Sequence, residues 1–164
     1  MAIDRPSKVA FAEVQPRATK IVAADFLRRV LAARPYKVHK VLTDHGTQFG
    51  NRPHQPYAGR HLFDRVCDEH GLEHRFPKPA HPWTNAQGER LNRPLKEATV
   101  RPYHSETTEH LNEHWQAFLL AYHHAKRRKT LSALTPHAFV CAQGQNNPSI
   151  FTRDPTHLTL GLYI

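Results

Sequence analysis

Short strand-like runs alternate with stretches of helical periodicity along this sequence, and that order restricts the fold more than any other feature. There are four such runs. The first ends at Ile3, and the others cover Val9–Val14, Val38–Thr43 and Glu73–Phe76. Each run is shorter than an ordinary helix, and turn-forming residues at Asp4–Ser7 separate the first two. Strands and helices in this order predict an α/β domain with a mixed sheet.

Helix signals fall between and after these runs. Thr19 is a suitable N-terminal cap, Pro35 ends the first helical pattern, and Gly71 is placed to cap the second at its C-terminus. Five helices are predicted. The first follows Thr19 and the last follows Thr135, and the other three cover His61–His70, about Asn85–Val100 and about Thr108–Ala125. We therefore expect one core over residues 1–140, with an irregular tail over 141–164.

The charge of the chain indicates a polyanionic partner. Lys and Arg outnumber Asp and Glu by 23 to 14 in a chain of 164 residues, which gives a net charge of +9. Such an excess favours nucleic acid first and an acidic membrane surface second. No apolar run approaches the length of a membrane span, and Cys67 and Cys141 form no CxxC pair. We expect a cytoplasmic protein without a membrane partner.

Asp44 directly follows the strand-like run Val38–Thr43 and opens a turn that contains Gly46. The carboxyl ends of strands in α/β sheets commonly carry ligand-binding groups, so Asp44 is a candidate site residue. The alternative is that Asp44 only shapes the turn, as aspartate often does. The local sequence leaves both interpretations open.

Glu89 is the second candidate carboxylate. If its segment is helical, Arg93 and Lys96 follow on the same helix face, which suits a site that holds metal ions and DNA phosphates. The alternative is a solvated surface pair of Glu and Arg, which any exposed helix can carry. Local sequence does not decide between these two interpretations either.

Two blocks of sequence resemble signatures of a known family. Leu42–Phe49 (LTDHGTQF) and His81–Glu97 (HPWTNAQGERLNRPLKE) resemble those of insertion-sequence transposases with a retroviral-integrase-like catalytic core, the DDE superfamily. Leu134–Phe139 (LTPHAF) is similar to the segment that closes many of these domains. The resemblance extends from about Ile3 to Phe139 and implies a ribonuclease-H-like mixed sheet flanked by helices.

The resemblance also implies a site and a cofactor. Asp44 matches the second aspartate of the family and Glu89 its glutamate, so both are expected to be catalytic and to bind metal. The implied cofactor is Mg²⁺ or Mn²⁺ in a two-metal site, since Mg²⁺ prefers hard oxygen ligands. Two such ions support in-line displacement at phosphorus, the chemistry of DNA cleavage and strand transfer. The residues expected to contact DNA are Trp83, Asn85, Arg90, Arg93 and Lys96.

The sequence departs from the family at its beginning and within the second block. The family's first strand and its aspartate are missing, and Asp4 matches a turn acid, so the implied metal site is incomplete. Pro94 lies inside the predicted helix of Glu89, where proline kinks or breaks a helix. We therefore expect a truncated and inactive transposase or integrase core.

Two other functions stay open at this stage. The first alternative is a non-catalytic DNA-binding fragment that modulates a full-length transposase, and the second is a translated pseudogene product without a stable fold. By analogy with the family, we expect self-association or association with a full-length transposase, and DNA as element ends and target. The sequence does not reveal which DNA sequences are recognised.

Overall fold

The computed structural model describes residues 1–51, 59–77, 97 and 107–157. Its strands are β1 (Ala2–Ile3), β2 (Ala10–Phe11), β3 (Lys40–Leu42) and β4 (Glu73–Arg75). Its α-helices are α1 (Lys20–Ala33), α2 (Leu62–Glu69), α3 (Thr108–His124) and α4 (Pro136–Asn146). Within these residues the chain is mixed α/β with small sheets, as the order of patterns predicts. No helix among them is long and apolar enough to cross a bilayer.

The described residues form two compact units. The first contains residues 1–14, 35–37 and those described from 97 onward, and the second contains 15–34, 38–51 and 59–77. Strands β1 and β2 pair antiparallel in the first unit, whereas β3 and β4 pair parallel in the second. Each unit has its own apolar core.

A tight turn joins β1 to β2 in the first unit. The Asp4 carboxylate accepts hydrogen bonds from the Ser7 backbone N–H (2.9 Å) and from the Ser7 hydroxyl. Lys8 follows in the left-handed region with φ 62°. Asp4 therefore shapes a turn, in agreement with the role that the sequence indicates.

Helix α3 packs on β2 and also binds the backbone that continues from it. The Asn112 side chain bonds both the N–H (2.8 Å) and the C=O (3.3 Å) of Val14, and the Gln116 amide donates to the Ala12 C=O (3.2 Å). The predicted strand Val9–Val14 is thus paired as a strand only at Ala10–Phe11. The backbone groups of Ala12 and Val14 bond to side chains of α3, whose polar residues Asn112 and Gln116 are one helical turn apart.

Helix α4 begins where the sequence predicts and continues further than expected. The Thr135 hydroxyl caps it by accepting from the Ala138 N–H at 3.2 Å. The helix runs to Asn146, so the first part of the predicted irregular tail is helical. Burial of Val140 against Val9, with Tyr36 and Phe151 packed beside them, holds this part of α4 in the first unit.

The second unit is built from two helices on one face of the β3–β4 pair. Thr19 caps α1, and Gly71 follows α2 with φ +64°, the left-handed conformation that glycine adopts without strain. Both caps agree with the prediction. The core of this unit consists of Ala23, Ala24, Leu27, Phe63, Val66, Cys67 and Leu72.

Candidate active site at the end of strand β3

Asp44 lies at the carboxyl end of β3 and is exposed to solvent. The ladder between β3 and β4 continues one residue beyond β3, because the Thr43 N–H donates to the Arg75 C=O at 3.1 Å. The Asp44 Oδ1 then accepts from the Gly46 N–H at 2.8 Å. The structure therefore contains the turn that the alternative interpretation predicts, and it holds the carboxylate at a solvent-exposed strand end.

Thr43, the residue before Asp44, begins a series of three hydrogen-bonded polar side chains. The Thr43 hydroxyl is 2.7 Å from Nε2 of His74, and Nδ1 of the same ring is 2.6 Å from Oδ1 of Asp64. The side chain of His74 is 6% exposed and that of Asp64 is 31% exposed. These three residues link β3, β4 and α2 directly beside Asp44.

Sequence reasoning missed His74 and Asp64. The available signal was the alternation in β4, which puts Glu73 and Arg75 on one face and His74 on the other, the face that carries Val41. Val41 packs against the apolar core of this unit. A histidine on a core-facing position requires polar partners, but the sequence does not indicate which residues supply them.

Aromatic rings enclose His74. Its ring centroid lies 4.9 Å from that of Phe63 and 4.5 Å from that of Phe76. His45, the residue after Asp44, stacks on Phe76 at 5.3 Å with an interplanar angle of 12°. The Nε2 atom of His45 also lies 3.1 Å from the Pro77 C=O. Ring packing and a hydrogen bond thus restrain the segment that carries Asp44.

A second histidine ties the turn to α2. His61 is 3% exposed, and its Nδ1 accepts from the Phe63 N–H at 3.1 Å, so this ring caps α2. Because Nδ1 accepts, the ring proton lies on Nε2, which donates to the Thr47 C=O at 3.3 Å. The turn after Asp44 is therefore anchored at Thr47 as well as at Gly46.

The outer face of the β3–β4 pair carries compensated charge. Glu73 forms ion pairs with Lys40 at 3.3 Å and with Arg75 at 2.6 Å, and all three side chains are exposed. The hydrogen bond from Arg75, followed by that from Lys40, lowers the pKa of the Glu73 carboxyl. This face is therefore less positive than its lysine and arginine alone indicate.

Four consecutive basic residues, Lys126–Lys129, follow α3, and not all of them are available to a partner. Arg128 places its guanidinium carbon 4.5 Å from the centroid of the Tyr122 ring, a cation–π arrangement. Lys126, Arg127 and Lys129 are exposed. Three of the four cations of the run thus face solvent.

Most of the predicted site residues lie outside the described residues. This holds for Glu89 and for the predicted DNA contacts Trp83, Asn85, Arg90, Arg93 and Lys96. The predicted helix over 85–100, with Pro94, lies outside them as well. Asp44 is the one predicted catalytic and metal-binding residue that the structure positions.

The chemistry of Asp44 fits a hard divalent cation. An exposed carboxylate offers the oxygen ligands that Mg²⁺ prefers, and it leaves room for the waters that Mg²⁺ retains. Across residues 1–51, 59–77 and 107–157, no three His, Cys, Asp or Glu side chains converge in a way that could hold a metal ion. In this part of the chain Asp44 is thus a single candidate ligand.

The fold is similar to that of a solved integrase domain. The catalytic core domain of BIV integrase aligns with a TM-score of 0.65 at 18% sequence identity, covering 90% of this chain and 87% of that one. No protein-family model matches the sequence, and no curated protein matches it either. At this identity the likeness concerns the fold alone, and it gives the chain an integrase-type catalytic-core fold.

Proposed function

We propose that this chain functions in DNA integration or transposition, as a catalytic core that binds DNA and a divalent metal ion. The observation that carries the proposal is the position of Asp44, an exposed carboxylate at the carboxyl end of β3 in an integrase-type fold. The net charge of +9 supports a nucleic-acid partner. The resemblance of the sequence to insertion-sequence transposases supports two more specific proposals. The chain would be a transposase of this class, and its sheet would be ribonuclease-H-like.

Asp44 and Glu89 would hold the metal. When bound, Mg²⁺ or Mn²⁺ would activate the attacking oxygen and stabilise the leaving oxygen of an in-line displacement at phosphorus. The part of Asp44 in this is to present a carboxylate fixed in place by Gly46, at an edge open to a phosphodiester. Trp83, Asn85, Arg90, Arg93 and Lys96 would contact the DNA.

The resemblance has a pattern of three acidic residues, and it assigns the roles of two of them to Asp44 and Glu89. A partner copy of a related transposase, or self-association, would be consistent with the multimeric action of such enzymes by analogy only.

The experiment that tests the metal site is a titration with Mn²⁺ observed by NMR. Mn²⁺ bound at Asp44 broadens the Gly46 amide signal first, and Asp44→Asn abolishes this effect. Asp25→Asn is the matched control, because Asp25 is a half-exposed aspartate on α1 that forms an ion pair with Arg28 at 3.1 Å. If Mn²⁺ leaves the Gly46 signal unchanged, or broadens it equally in Asp44→Asn, then Asp44 is not a metal ligand.

A second candidate function is non-catalytic DNA binding, which the high positive charge favours. Salt-sensitive retention of DNA is expected for both candidates. Metal-dependent nicking of DNA that depends on Asp44 and on Glu89 is expected only for the enzyme. Retention without nicking in Mg²⁺ or Mn²⁺, together with no Mn²⁺ effect at Gly46, would identify the binding fragment.

A further inference from the structure

Three hydrogen-bonded side chains connect α2 to the end of β3, next to Asp44 in the sequence. Asp64 contacts one nitrogen of the His74 ring at 2.6 Å, and Thr43 contacts the other at 2.7 Å. The contact with Asp64 is short for an N–H···O hydrogen bond, and the contact with Thr43 lies within the ordinary range. Phe63 and Phe76 pack on the ring, so it is held between two partners with little access to water.

The carboxylate of Asp64 fixes the direction of its own hydrogen bond to the ring. An ionised carboxylate only accepts, so the Nδ1–H of His74 donates to Asp64. In the neutral ring, Nε2 then carries a lone pair and accepts the hydroxyl proton of Thr43. Asp64 thus favours the neutral tautomer in which Nε2 accepts from the Thr43 hydroxyl, in the way that a carboxylate orients a histidine in other sites.

Thr43 is the residue through which this arrangement reaches Asp44. The Thr43 side chain is held against the His74 ring, and Asp44 is the next residue of the chain. The Thr43 N–H is also bound, to the Arg75 C=O at 3.1 Å. Both the backbone and the side chain of Thr43 are therefore fixed where the chain turns into Asp44.

We propose that Asp64 and His74 are positioning residues for Asp44 and act on it through the Thr43 hydroxyl. The proposal rests on the proposed function for the role of Asp44 as a metal ligand. The fixed exit of β3 keeps Asp44 in the turn with Gly46 before any metal or DNA binds. A preset carboxylate of this kind suits a site that has to hold a metal ion with few protein ligands.

The test removes the Thr43 hydroxyl and follows the hydrogen exchange of the Gly46 amide, whose acceptor is Asp44 Oδ1. Thr43→Val has nearly the same shape without the hydroxyl, and we expect exchange at Gly46 to become about tenfold faster, as for the loss of one hydrogen bond. Thr43→Ser keeps the hydroxyl and is expected to exchange like the parent chain. The matched control is Thr47→Val, the same change at an exposed threonine of the same turn.

A second variant probes Asp64, at the other end of these three hydrogen-bonded side chains. Asp64→Ala removes the acceptor of the Nδ1–H, and we expect the fold to tolerate it because the Asp64 side chain is 31% exposed. We expect the ¹⁵N spectrum of the His74 ring to change from one tautomer to a mixture, with faster exchange at Gly46. A changed tautomer with unchanged exchange at Gly46 would show that Asp64 orients the His74 ring without positioning Asp44.

Neither measurement requires metal, DNA or turnover, so the two proposals fail separately. Faster exchange at Gly46 in Thr43→Val, with slow exchange retained in Thr43→Ser and Thr47→Val, supports the positioning role even if Mn²⁺ never binds. Unchanged exchange in Thr43→Val, or equal acceleration in Thr43→Ser, overturns that role even if Asp44 binds Mn²⁺. An unchanged His74 tautomer in Asp64→Ala overturns the part assigned to Asp64.

Discussion

His123 of helix α3 accepts a hydrogen bond at Nε2 from the backbone N–H of Ala10 in β2, at 3.0 Å. The two residues are 113 positions apart in the sequence, and His123 is 0% exposed. This bond satisfies a buried backbone donor that otherwise has no water to bind. His123 lies on the same face of α3 as Asn112 and Gln116. Hydrogen bonds from several turns of α3 therefore hold β2 and the backbone that continues from it.

Removing the acceptor of the Ala10 N–H should destabilise the chain. For His123→Leu we expect a loss of about 1–3 kcal/mol in the free energy of unfolding, because the buried donor remains without a partner. Urea unfolding followed by circular dichroism measures it. His110→Leu, the same change at an exposed histidine of α3, should stay within about 0.5 kcal/mol of the parent. Equal stability of the two variants would contradict the assigned role of His123.

The same Ala→Gly change should have opposite signs at two positions. Ala133 has a φ of 61°, a conformation that costs a residue with a Cβ about 1–2 kcal/mol. Ala133→Gly should therefore stabilise the chain, by about 0.5–1 kcal/mol after the entropy of glycine is subtracted. Ala117→Gly, at an exposed position inside α3, should destabilise it by about 1 kcal/mol. Thermal unfolding of both variants checks the signs, and a destabilised Ala133→Gly would be the contrary result.

Gly144 tests whether packing or helix propensity decides the outcome. A Cβ at Gly144 in α4 would lie 2.6 Å from Cγ of the Pro155 ring, which is buried and rigid. The resulting strain, about 1–3 kcal/mol, should exceed the gain of about 1 kcal/mol from replacing glycine by alanine in a helix. We expect Gly144→Ala to lower the denaturant midpoint. In a Pro155→Ala background the same change should raise the midpoint, and a decrease in both backgrounds would show that Pro155 is not the cause.

Cys67 should make the chain sensitive to alkaline pH. Burial, with a smaller effect from Asp64 and then Asp68, raises the pKa of the Cys67 thiol from 9.0 to about 11. A pKa raised in the folded state contributes stability below about pH 9 that is lost as the pH rises towards 11. The free energy of unfolding should therefore fall between pH 8 and 10.5 more steeply in the parent than in Cys67→Ala.

The comparison with Cys67→Ala removes the effect of the lysines and tyrosines that titrate in the same range. The thiol should also react slowly with alkylating reagents at pH 8, because the thiolate is the reactive form. Identical pH slopes in the parent and in Cys67→Ala, or rapid labelling of Cys67 in the folded chain, would contradict the prediction.

Local signals predicted the parts of the fold that local chemistry determines. Thr19, Thr135 and Gly71 mark helix ends because caps and left-handed turns depend on neighbouring residues. The sequence also shows Asp44 after a strand-like run, where the structure has it, and its catalytic and metal-binding role stays a prediction. Glu89 and the five predicted DNA contacts stay predictions, since the structure does not describe those residues.

Long-range contacts determine what the sequence did not predict. Beyond Phe11, where β2 ends, the backbone of Ala12 and Val14 is bound by Gln116 and Asn112, about a hundred positions away. In the same way, His74 acquires its role only when Thr43 and Asp64 are brought to it from two other elements. No pattern within any one of these segments contains that information.

The bonds from α3 to the backbone of Ala10, Ala12 and Val14 also constrain the spacing of residues along α3. Asn112, Gln116 and His123 reach alternate residues of an extended segment, so helical and extended spacings must match along the whole contact. Inserting or deleting one residue in α3 between Gln116 and His123 would turn His123 by about 100° around the helix axis. The length of α3 is therefore fixed more strictly than its composition, and natural relatives should vary in its exposed side chains while leaving this interval free of insertions.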